Sequence, residues 1–93
     1  MSMPVRSYIK DPEALLDYPI DWSDWLGADT ITGTPVWTVP AGLTLAAESN
    51  TTTTATAWLS GGTDGVDYIV ECKITTVGGR VDERSIRIAV REK

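Results

Sequence analysis

Val66-Asp67-Tyr68-Ile69-Val70-Glu71-Cys72-Lys73-Ile74-Thr75-Thr76-Val77-Gly78-Gly79-Arg80-Val81-Asp82-Glu83-Arg84-Ser85-Ile86-Arg87-Ile88-Ala89-Val90 is the stretch that decides the fold. Val66, Tyr68, Val70, Cys72 and Ile74 alternate with other residues, and so do Ile86, Ile88 and Val90. A period of two is the mark of a half-buried strand, and the Gly pair between the two runs makes a hairpin. Side-chain parity then chooses the register. A two-residue Gly78-Gly79 loop sets Val70 opposite Arg87 and Tyr68 opposite Ala89, which puts the two apolar sets on opposite faces. A one-residue slip flips every side chain, so that pairing is penalised. A three-residue loop, Val77 to Gly79, sets Val66 opposite Val90, Tyr68 opposite Ile88 and Val70 opposite Ile86. Lys73 then faces Glu83 on the other side. Gly79 falls where such a loop needs a left-handed residue before its bulge. The second register is the one expected.

Working outward, Ser60-Gly61-Gly62-Thr63-Asp64-Gly65 reads as a turn. It is not a phosphate loop, because no Lys follows and no helix opens from it. Thr54, Thr56 and Trp58 share one parity of the preceding strand; Ala55, Ala57 and Leu59 share the other. Leu43, Leu45 and Ala47 alternate in a strand after the Pro40-Ala41-Gly42 turn. Ile31 to Val39 is a further strand, with Gly33 and Pro35 marking a bulge or a late start. Leu16, Tyr18, Ile20 and Trp22 share the inward parity of an extended segment. Pro19 there gives no ladder donor, so that strand belongs at a sheet edge. Ser23 to Gly27 is a short turn stopped by Gly. Residues 1–15 lack a periodic apolar face and read as an arm, loose or docked on a neighbour, with one turn capped by Asp11. These features predict an all-β fold over residues 16–93: an antiparallel sandwich of about seven short strands, of the immunoglobulin or fibronectin type III kind. The Cys…Trp…Cys pattern of antibody domains is absent.

The chain has 93 residues and a net charge of −5. One core fits that length. With no His and a single Cys, it has no internal disulfide, no thiolate zinc set and no histidine base. Cys72 reads as a small buried hydrophobe. Ser60 has no partner base, so serine nucleophile chemistry is excluded. Residues 1–34 carry two basic and six acidic side chains, residues 35–70 three acids and no base, and residues 71–93 six bases and four acids. An acidic balance argues against nucleic acid as partner, because binding needs cations to neutralise phosphates. No apolar stretch is long enough for a spanning helix, and no secretory leader is visible. Asp17, Asp21, Asp24 and Asp29 fail the spacing of a calcium loop and read as a solvated acidic edge; no metal or cofactor is expected.

The tryptophans are the candidate site. Trp37 and Trp58 lie in strands, and one or both are expected in the core. Trp22 and Trp25 flank Ser23-Asp24. They either cap the end of the sandwich or stay partly exposed, where they anchor a partner or stack on a sugar. No residue is a catalytic candidate.

Several of these residues also resemble a family. Leu16-Asp17-Tyr18, Asp21-Trp22-Ser23-Asp24-Trp25-Leu26, Asp29-Thr30-Ile31, Trp37-Thr38-Val39-Pro40-Ala41-Gly42-Leu43, Trp58-Leu59-Ser60-Gly61-Gly62-Thr63, Gly65, Tyr68, Ile74-Thr75-Thr76 and Gly79-Arg80 are similar to small Ig-like proteins of tailed bacteriophages and prophages. Those proteins are encoded among the head and tail structural genes. The likeness spans roughly residues 11–91. It implies a non-enzymatic virion structural, decoration or assembly protein, made in the host cytoplasm, that binds other virion proteins. It also implies that Trp58 is a core residue. The alternative is an adhesin module that binds a host-surface glycan.

Overall fold

A computed structural model describes residues 4–92. Its elements are β1 (Pro4–Lys10), β2 (Leu16–Asp21), α1 (Ser23–Leu26), β3 (Ile31–Thr38), β4 (Leu43–Asn50), β5 (Thr54–Gly61), β6 (Asp67–Thr76) and β7 (Val81–Val90). They form a four-stranded sheet in the order β1-β7-β6-β3 and a three-stranded sheet in the order β2-β5-β4. The core lies between the two.

The β6–β7 hairpin adopts the expected register. Tyr68 faces Ile88, Val70 faces Ile86 and Lys73 faces Glu83. The Thr76 N–H donates to the Arg80 carbonyl (2.8 Å) and the Gly79 N–H to the Thr76 carbonyl (2.9 Å), with Gly79 at φ 87°. Val70, Cys72, Ile74, Ile86, Ile88 and Val90 are fully buried. Full burial of each aliphatic side chain stabilises by about 1.5–3 kcal/mol, which makes this hairpin the main contributor to the core. Burial also pushes the Cys72 thiol up to about 12, so it is an unreactive core group.

The three-stranded sheet contributes Tyr18, Ile20, Ala55, Ala57 and Leu59 to the same core. Tyr18 pairs with Ala57 and Ile20 with Ala55, so large residues of β2 sit beside small ones of β5. Pro19 lies on an edge strand, as its missing donor requires. The Gly33–Pro35 irregularity is present as a break in β3–β6 pairing between Thr32 and Val36.

Three expectations need correction. First, the region read as an arm of residues 1–15 supplies an integral strand. β1 pairs with β7 in parallel, so the four-stranded sheet is mixed, not wholly antiparallel. Met1, Ser2 and Met3 of that arm lie outside the described residues. The pattern hid β1 because its polarity is inverted. Arg6, Tyr8 and Lys10 pair with Ile86, Ile88 and Val90 on the inner face, while Ile9 points out and is 60% exposed. Lys10 is buried; its ammonium donates to the Asp11 carbonyl at 2.8 Å and the Gly61 carbonyl at 2.7 Å. Burial pulls its pKa below the ordinary lysine value, against the pull of Asp11. The expected turn after β1 does form: the Glu13 N–H donates to the Asp11 carboxylate and the Ala14 N–H to the Asp11 carbonyl.

Second, Trp58 is not a core residue. It lies on the parity of Thr54 and Thr56, outside the sandwich, and is 38% exposed. Third, Leu16, read on the inward parity of its strand, is 44% exposed, whereas Trp22 on that same parity is fully buried. Trp22 extends the inner face of β2, and its backbone N–H donates to the Thr53 carbonyl at 2.9 Å. Trp37 is partly buried against the core.

Candidate protein-contact surfaces

Trp22 and Trp25 sit together at one end of the sandwich. The Asp21 carboxylate accepts the Ser23 N–H (2.9 Å), an Asx turn that starts α1 directly after β2. That hydrogen bond holds Asp21 below the usual carboxylate range. Four residues make one turn, and Gly27 ends it at φ 61°. The two indoles meet edge to face, centroids 5.6 Å apart.

Two arginines from the hairpin close over them. The Arg84 guanidinium lies 4.4 Å from the centroid of Trp22 and donates to the Asp21 carbonyl. The Arg80 guanidinium lies 4.2 Å from the centroid of Trp25, donates to the Leu26 carbonyl at 2.9 Å and pairs with Asp29 at 3.1 Å. It thereby satisfies a carbonyl at the C-terminus of α1, the end of a helix that favours a cation. Asp29 also accepts N–H groups from Thr30 (2.9 Å) and Gly78 (3.0 Å). The Thr76 hydroxyl is the largest influence on its carboxyl, and with these donors it holds the pKa down to about 2.

The sequence-predicted pair is therefore brought together, but as a cap. Trp22 is enclosed and offers no ring to a partner; Trp25 is partly buried, with Arg80 on one face. The acidic residues near it do not converge. Asp21 and Asp29 are used in separate local networks, and no group of three metal-ligating side chains occurs among the described residues. Arg80 and Arg84 were legible only as part of a basic strand. Their signal was parity: both share the inward set of Ile86 and Ile88.

A second surface was missed. On the outer face of the three-stranded sheet, Asp17, Trp58 and Ala47 form one row across β2, β5 and β4. Thr56 and Ser49 pair in the next row, and Thr44 and Ser60 in another. Trp58 is thus a large exposed aromatic among small neighbours. Its position with Thr54 and Thr56 was the available sign.

Charge divides between the sheets. β2, β4 and β5 carry Asp17, Asp21 and Glu48 and no cation. Every Lys and Arg among the described residues lies on β1, β6, β7 or the segments that flank them. Arg87 and Arg91, for example, both bind Asp67 on that side.

No curated protein matches the chain. Residues 10–89 match one family model, described as podophage GP4 fiber-tail adaptor protein gp77, and the chain belongs to that family.

Proposed function

We propose, from membership of the podophage fiber–tail adaptor family, that this chain is a non-enzymatic structural piece of a phage tail and that its two sheets meet different neighbours. The chain is a phage structural protein of an adaptor family. The observation that carries the finer reading is the division of charge, with one sheet bearing only acids and the other all the described cations. Complementary potentials select partners and set orientation, so a piece placed between two proteins benefits from unlike faces.

An immunoglobulin-like description of the sandwich belongs to the same proposal. The orders β1-β7-β6-β3 and β2-β5-β4 follow the arrangement in which the last two strands sit beside the third and the second pairs with the fifth. Tyr68, near the start of β6, accepts the Thr63 N–H on its hydroxyl at 3.0 Å, in the manner of a tyrosine corner. Sugar stacking needs an open ring face. Trp22 is enclosed and Arg80 covers one face of Trp25, so protein contact is the better supported mode.

The test is quantitative mass spectrometry of purified particles, with and without the gene. The expected result is a fixed copy number in the tail and loss of fibres, not of heads, when the chain is missing. Particles that lack the chain yet keep their fibres would refute the reading.

A further inference from the structure

We propose that the free edge of β4 is a strand-addition site, and that its occupant is an extended, Lys- or Arg-bearing segment of another tail protein. The inference rests on the adaptor reading above and names the contact through which it acts.

The two sheets have four edge strands: β1, β3, β2 and β4. Three contain a proline within the strand: Pro4 in β1, Pro35 in β3 and Pro19 in β2. Proline removes a donor and is a standard guard against edge pairing. β4 (Leu43–Asn50) has no proline, and a single charged residue, Glu48. Its backbone is available. The Thr51 N–H donates to the Thr54 carbonyl, and Asn50, Glu48 and Ala47 continue that register against Ala55, Ala57 and Trp58. Antiparallel ladders alternate inward- and outward-directed N–H groups. Counting back from Thr51, Asn50 and Glu48 direct theirs away from β5. A new strand would find these donors facing it.

The chemistry of the occupant follows from the adjoining row. Strands lie about 4.8 Å apart, so a strand added beside β4 runs about 10 Å from β5. On the outer face only Ala47 stands between that strand and Trp58. A Lys or Arg side chain is long enough to cross Ala47 and place its cation on the Trp58 ring, with Asp17 next in the row. The strands of the three-stranded sheet carry Asp17, Asp21 and Glu48 and no cation; Arg84 of β7 lies beside Asp21, which leaves Asp17 and Glu48 as the acids a basic segment would meet. A second copy of this chain would bring the same acids and no base to the seam, so charge favours a foreign basic segment over self-pairing. Backbone hydrogen bonds would give affinity and the Trp58 row would give selectivity.

The experiment is rebinding of the purified chain to tail particles assembled without it, read as an apparent Kd. Glu48→Pro plugs an outward-directed N–H without breaking a bond to β5. Trp58→Ala removes the stacking ring, and Val77→Ala, in the exposed β6–β7 turn away from both surfaces, serves as the control. Melting curves of each variant keep folding separate from binding. The proposal expects at least tenfold weaker binding for Glu48→Pro and for Trp58→Ala at near-native melting temperature. It also expects wild-type affinity to fall as salt rises, and little change for Val77→Ala. A photo-crosslinker at Ser49 should attach to a segment of another chain that contains Lys or Arg. Unchanged binding by folded Glu48→Pro would overturn the edge while leaving the adaptor reading intact. Crosslinking of Ser49 to a second copy would overturn the basic occupant. Failure of the wild-type chain to rebind at all would refute the adaptor reading itself.

Discussion

Trp22 and Trp58 show how much one step of parity matters. Trp22 is enclosed between the sheets, against Trp25 and beneath Arg84. Trp22→Ala leaves a large cavity and should cost about 3–5 kcal/mol, against a total stability of about 5–15 kcal/mol for a domain of this size. Trp58→Ala removes a ring that lies on the outer face and is 38% exposed, and should cost less, about 1 kcal/mol. Urea denaturation of the two variants checks the contrast. Both parities were readable in the sequence. Trp58 was nevertheless expected inside, because size and apolarity suggested burial; Ala55 and Ala57 hold the inner positions, and their small volume admits Tyr18 and Ile20 from β2 instead. Asp29 gives a pH prediction. Its carboxyl is held at about 2 in the folded chain, below the ordinary 3.8. A depressed acid binds fewer protons folded than unfolded, so its contribution is complete above about pH 4 and is lost as pH falls through about 2. Melting temperature measured from pH 5 to pH 2 should fall more steeply for the wild type than for Asp29→Asn, whose side chain does not titrate there.

Elements differ in how openly they announce themselves. The β6–β7 hairpin was legible down to its register, because alternation, the Gly79 position and the Lys73–Glu83 juxtaposition all demanded the same pairing. β1 was illegible because tertiary contacts reverse its polarity: Lys10 is inside and Ile9 outside. An inward lysine looks like a tail until Gly61 and Asp11 supply carbonyls for its ammonium. Lys10→Met keeps the length of the side chain but leaves those carbonyls without that donor. It should destabilise by about 1–3 kcal/mol, measured by thermal or chemical denaturation. Hydrogen exchange should separate the strands as well. Amides of Val70, Ile74 and Ile86, in fully buried central strands, should exchange only through global unfolding. Those of β1, at the sheet edge, should exchange earlier through local opening.

At the scale of the whole molecule, the closing of seven short strands around one shared core predicts a single cooperative transition. Circular dichroism and tryptophan fluorescence should report the same midpoint, since Trp22 belongs to that core. The sandwich class was readable from spacing and turns. The parallel β1–β7 contact was not, because pairing between chain segments so far apart in sequence leaves no local signal. The surfaces were half legible. Trp22 and Trp25 stood out as aromatics, yet their guanidinium covers come from β7 and the turn before it, far along the chain. The prolines in β1, β2 and β3 carry one last consequence, for stoichiometry. A module with two open borders can be threaded into an endless ribbon. One whose borders are stoppered on three sides can accept a single added strand, and any further neighbour must be met by a sheet face instead. Such a piece does not pass strand pairing on from copy to copy, and so it can be made in excess without seeding endless ribbons.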